Sequence, residues 1–130
     1  MRSASVVAGG VLGTLARWLV EGIFSSTPPG FPWGTLLVNV TGAFALGVAG
    51  VILIERVAHV GHMRTFLGIG LLGSYTTFST MALQGVRLIE EDQLAFAAIY
   101  WVVTLIFGQI AGVYGMWMGR LRVPVRKETS

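Results

Sequence analysis

The sequence predicts an all-α membrane protein of four transmembrane helices, the third broken near its middle. Three observations predict it. Charged residues are absent from 34–54, 65–86 and 93–119, windows able to cross a ~30 Å hydrocarbon layer at ~1.5 Å per helical residue. The 130 residues are 54% hydrophobic and 12% charged, about half the ~25% charge usual in a soluble domain. Six of the seven residues Ser74, Tyr75, Thr76, Thr77, Phe78, Ser79 and Thr80 carry a hydroxyl, inside the uncharged run 66–86 and directly after Gly73. Polar groups in oil are costly unless they face protein, water or an ion, and a glycine makes a local break cheap. Function is therefore expected in segment 73–81.

The elements follow in order. Span one covers 3–20, with Gly9, Gly10 and Gly13 and one charge, Arg17. Met1-Arg2 before an apolar run has the look of a signal peptide. No small-x-small cleavage site follows, and three more spans do, so a retained helix is expected. The loop 21–33 holds Pro28, Pro29, Gly30 and Pro32 and is not regular helix. Span two is 34–54, followed by a polar connector, 55–64. Span three is 65–86, then a short acidic loop, 87–93. Span four is 94–119. The chain forms one domain, 1–130, without a linker or internal repeat.

Charge bears on topology and partners. With the N-terminus inside, the inner side carries Arg2, Arg56, Arg64, Arg120, Arg122, Arg126 and Lys127, against Arg17 and Arg87 outside. This bias puts both termini in the cytoplasm of a cell membrane. The net charge of +3 comes from that basic tail, a topology signal rather than a nucleic-acid surface. The absence of cysteine excludes disulfides, thiolate metal sites and thiol nucleophiles. A four-helix bundle fills its own centre and leaves little room for a pore. Gly42, Gly47 and Gly50 on span two, and Gly108, Gly112, Gly115 and Gly119 on span four, suit close helix packing within or between chains. An oligomer is expected.

Spans two to four contain no ionised residue. Their polar groups are Thr35, Asn39 and Thr41, the hydroxyl run, and Tyr100, Thr104 and Gln109. Thr35 and Asn39, four apart, share a helix face; Phe78 and Met81, three apart, do the same. Amide and hydroxyl donors and the positive edge of an aromatic ring suit a small anion that must bind and leave. Carbonyls freed by a break at Gly73 suit a hard cation. The residues allow an anion path, a cation site, or both.

Gly34-Thr35-Leu36-Leu37-Val38-Asn39 on span two and Gly73-Ser74-Tyr75-Thr76-Thr77-Phe78-Ser79-Thr80 on span three closely resemble the Fluc (CrcB) fluoride channels. Arg17-Trp18 and Pro32-Trp33-Gly34-Thr35 fit the same pattern, and the similarity covers nearly the whole chain. The resemblance implies a dual-topology dimer of antiparallel subunits with two fluoride pathways and a central sodium ion that is structural and not transported. It implies that main-chain carbonyls of Gly73 and Thr76 from both subunits hold the sodium. It places Asn39, Thr35 and Phe78 on the fluoride pathway with the hydroxyls of Ser79 and Thr80, and the span-four polar track at Tyr100 and Thr104. Two positions depart from the family pattern. Met81 stands where a second phenylalanine is usual, keeping bulk but losing the ring edge, and Gln84 replaces a glutamate. Some family members pair non-identical subunits, so an antiparallel homodimer and a heterodimer with a sibling chain are both open.

Plainer readings stand beside these. Asn39 also suits a helix–helix hydrogen bond, and Arg17 a structural anchor snorkelling to the interface. His59 and His62 lack further ligands for a metal. Gly68-x-Gly70-x-x-Gly73 lies inside a span, away from any βαβ unit. No nucleophile arrangement assembles, so no enzyme is expected. The alternative transport reading, a small proton-coupled antiporter, needs a carboxylate within the membrane, for which Glu21 is the candidate.

Overall fold

The computed structural model describes residues 2–24, 30–55 and 61–121. Pro28, Pro29, Arg56, His59 and the basic tail Arg122, Arg126 and Lys127 lie outside the described residues. Four stretches are long and apolar enough to cross a membrane. Helix α1 is Arg2–Ile23 and α2 is Trp33–Glu55. The third stretch is assembled from pieces: α3 (Gly61–Arg64), a π-helical stretch (Thr65–Leu72), α4 (Gly73–Tyr75) and α5 (Phe78–Glu90). Helix α6, Leu94–Leu121, completes the bundle.

The bundle is inside-out relative to a soluble domain. Leu15, Trp18, Leu105, Ile106, Phe107, Ile110 and Val113 are exposed, whereas Thr35, Thr77 and Thr104 are buried. Such a surface is stable only against lipid, where burying apolar side chains gives helices little reason to associate. Close packing does that job instead. The most extensive interface joins α2 and α6, and a Cβ on Gly115 would collide with the main chain of Phe44. Helix α1 packs on the first half of span three, while α5 packs on α6.

Span three turns into α6 through a tight cap. Asp92 takes a left-handed φ of 58°. Its N–H reaches the Ile89 carbonyl at 3.0 Å, and the Gln93 N–H reaches Leu88 at 2.8 Å. This is the paired closure of a Schellman motif, with aspartate in glycine's usual place. The contacts put the end of α1, the start of α2, the end of α5 and the start of α6 together, at the end of the bundle away from both termini.

Candidate ion-permeation site

Span three is broken, but not at the glycine. Gly73 is helical (φ −65°, ψ −29°), and its N–H bonds Gly68 in the π-helical stretch. The chain becomes extended at Thr76 (φ −72°, ψ 152°) and Thr77 (φ −147°, ψ 120°). Side chains explain the shift. The Thr76 N–H and hydroxyl both donate to the Leu72 carbonyl at 3.2 Å, and threonine hydroxyls compete with the helical ladder in this way. Thr77 then caps α5, its Oγ1 accepting the Thr80 N–H at 3.1 Å, as N-cap threonines do.

Asn39 holds the break open. Its Oδ1 accepts the Thr77 N–H at 2.8 Å, and its Nδ2 donates to the Thr77 carbonyl at 2.9 Å. The carboxamide thus pairs with one extended residue as a neighbouring strand would. A Cβ on Gly42, one turn along α2, would collide with the Thr76 side chain, so glycine there lets the extended stretch lie against α2. The carbonyls just ahead of α5 lose their helical donors as a result, those of Gly73 and Thr76 among them. Thr77 N–H, which would serve Gly73 in a continuous helix, goes to Asn39, and Thr80 N–H, which would serve Thr76, goes to Thr77 Oγ1.

The predicted residues separate into two cavities and the wall between them. An open cavity of about 770 Å³ is lined by Asn39, Thr76, Thr77, Phe78, Met81 and Thr104, with Gln109 and Arg120 further along α6. Phe78 is 74% exposed at this cavity whereas Met81 is buried in the core. Their three-residue spacing therefore brings both to one groove but gives them different surroundings. A smaller cavity of about 170 Å³ at the end away from the termini is lined by Glu21, Thr35, Gln84, Arg87 and Glu91. Thr35 and Asn39 share a face yet open into different cavities. Tyr100, fully buried with Leu36, Met81 and Ala97, lines neither. Its hydroxyl donates to Gln84 Oε1 at 3.0 Å, while Thr104 Oγ1 returns to the Tyr100 carbonyl at 2.7 Å.

Other hydroxyls near the break also bond within the protein. Thr77 Oγ1 donates to Thr80 Oγ1 at 3.0 Å and lies 3.3 Å from Ser79 Oγ. Tyr75 and Thr41 hydroxyls meet at 3.0 Å. No buried polar side-chain atom among the described residues lacks a partner. Arg17 is half-buried on α1 and lines neither cavity. Gly73 is exposed and Thr76 half-buried.

The sequence reading passed over Thr77, the pivot of the break, and the pairing of Thr35 with Glu21. A cap signal marked the first: a threonine before the regular α5 run, with a polar residue three further on. No local signal marked the second, which joins helices.

A polytopic membrane protein with a broken helix and neutral polar groups around a cavity has the parts of a solute pathway. Comparison with known proteins agrees. The family model for CrcB-like protein, Camphor Resistance (CrcB), matches residues 4–116. "Fluoride-specific ion channel FluC 1" of Mycobacterium bovis is 42% identical over 108 residues, covering 83% of this chain and 82% of that protein. "Fluoride-specific ion channel FluC" of Agrobacterium fabrum is 39% identical over 119 residues, covering 90% and 94%. The namesake from Hydrogenobaculum sp. is 37% identical over 121 residues, covering 93% and 99%. The chain belongs to the CrcB family of fluoride-specific ion channels.

Proposed function

We propose that this chain conducts fluoride passively out of the cytoplasm across the cell membrane, protecting the cell where acid-driven uptake would concentrate the ion. The observation that carries this reading is the Asn39–Thr77 clamp. It holds a polar, extended stretch open at a cavity whose lining near the break is uncharged. A carboxamide has two N–H donors, and Thr77 takes one, so the other remains for an anion. Ser79 and Thr80 hydroxyls and the exposed edge of Phe78 continue the donor set. Neutral donors replace part of the hydration shell without trapping the ion as a fixed cation would.

Two features support a paired assembly. The large cavity is an open groove along α2, α5 and α6, and a second chain would complete it. The partner is an antiparallel copy or a sibling chain. The Gly73 and Thr76 carbonyls, relieved of their helical donors, fit a hard cation, so two chains would supply four such oxygens to a sodium ion. When bound, that ion ties the broken helices together and adds a fixed positive charge beside the path. Arg17 acts as an anchor of α1, and both termini face the cytoplasm where orientation is fixed.

The test is fluoride efflux from proteoliposomes, with and without sodium, using this chain alone and with any sibling chain. Sodium-supported efflux without a proton gradient is expected. Absence of fluoride-selective efflux under every condition would refute the reading.

A further inference from the structure

The smaller cavity contains an arrangement that the proposed fluoride path leaves unused. Glu90, Glu91 and Asp92 are exposed at the α5–α6 turn, but Glu21 is half-buried near the end of α1. Its Oε1 accepts the Thr35 hydroxyl at 3.1 Å, and Thr35 is only 1% exposed. An ionisable group that close to a membrane span is costly to keep unless it is used.

Thr35 lies one helical turn from Asn39 on the same face of α2, across the buried Tyr100–Met81 wall from the groove, so on the channel reading it is the first polar group of α2 beyond that wall. A hydroxyl has one proton. While Glu21 is ionised, that proton points at the carboxylate, and Thr35 offers only lone pairs to an approaching anion. The carboxylate also repels the anion directly. Protonation of Glu21 removes the charge, turns one carboxylate oxygen into a donor, and frees Thr35 to rotate. The other groups facing this cavity do not substitute for Glu21. From α5 come Arg87 and Glu91, of opposite sign, and the neutral Gln84, which is bonded to Tyr100. The Tyr100 hydroxyl of α6 lies behind Gln84, to which it donates, α2 brings only neutral groups, and on α1 itself Arg17 lies a turn away.

We propose that Glu21 and Thr35 form a proton-operated gate at the mouth of the fluoride path away from the termini, closed to anions when Glu21 is ionised and open when it is protonated. The proposal rests on the channel reading above. It makes conduction rise under acidic conditions, the same conditions that load a cell with fluoride.

The experiment measures fluoride efflux from proteoliposomes between about pH 7.5 and about pH 4.5, spanning carboxylate titration. Only the valinomycin-dependent component is counted, because leakage of neutral HF carries no charge. Wild-type efflux should rise as pH falls. Glu21→Gln should conduct about tenfold faster than wild type at the top of the range, equivalent to ~1.4 kcal/mol, with a flat pH profile. Thr35→Val removes the hydroxyl that the gate releases, so its efflux should stay low across the whole range. A Glu21→Gln protein that keeps the wild-type pH profile overturns the gate. If that variant fails to assemble, Thr35→Val decides alone, and a wild-type rise of efflux with falling pH in it overturns the gate. Uphill fluoride movement driven by a proton gradient, lost in Glu21→Gln, also overturns it, because Glu21 would then be a coupling carboxylate. No efflux from any variant at any pH rejects the channel reading itself, and the gate with it.

Discussion

The two cavities differ in the charge of the groups that line them. The large groove beside Asn39 is lined near the break by neutral groups, each held by main-chain or hydroxyl partners. The smaller cavity, around Thr35, brings Glu21, Arg87 and Glu91 to the end of the bundle. Charge is therefore kept where water can reach, and dipoles serve at membrane depth. The physical reason is cost: a buried ion needs a partner or must neutralise, whereas a buried amide needs only hydrogen bonds. Between the two stand the Tyr100 ring and Met81, both buried, so a single chain shows a groove and an end cavity separated by a wall.

The largest expected effect comes from breaking the groove at its clamp. Asn39→Asp places a carboxylate oxygen against the Thr77 carbonyl and removes the spare donor. Efflux should vanish, and thermal unfolding in detergent should fall by the equivalent of about 1–3 kcal/mol, the cost of an unpaired buried polar group. Retained efflux would remove Asn39 from the path. Phe78→Ile keeps an apolar side chain but deletes the ring edge, and efflux should drop about tenfold, or ~1.4 kcal/mol in the barrier. An unchanged rate would show that bulk alone matters there.

Smaller effects sharpen the contrast. Thr77→Ala loses the cap of α5 and should cost about 1 kcal/mol of stability, read as a lower unfolding midpoint, with efflux falling as the extended stretch loosens. A stable, fully active variant would mean that Asn39 alone holds the break. Tyr100→Phe tests the wall. It removes the bond to Gln84 and keeps the ring, so stability should fall by about 1 kcal/mol and efflux by no more than about tenfold. A larger loss would place the Tyr100 hydroxyl directly on the path.

Much of the fold was legible. The charge-free windows marked the spans to within a few residues, because a charge at membrane depth is expensive wherever it occurs in a chain. The polar run in span three marked a stretch that lines the large cavity, for the same reason. The position of the break was not legible. Glycine at 73 suggested it there, yet Gly73 is helical and the extended residues are Thr76 and Thr77. Local propensity points to the weakest residue, whereas the break falls where side chains replace the lost backbone bonds. One of those side chains, Asn39, is 38 positions away. Phe78 and Met81 teach the same lesson: equal helical spacing left one exposed and the other buried.

By itself the sequence determined that this protein lives in a membrane, crosses it four times and carries neutral polar chemistry on its third span. Those properties follow from additive transfer costs, which are read residue by residue. Only the tertiary structure decided which backbone groups are spared from the helix, which residues line a common cavity, and that Thr35 answers to Glu21. Those depend on hydrogen bonds between helices, set by how closely glycine-bearing faces approach, and no local window of sequence contains both partners.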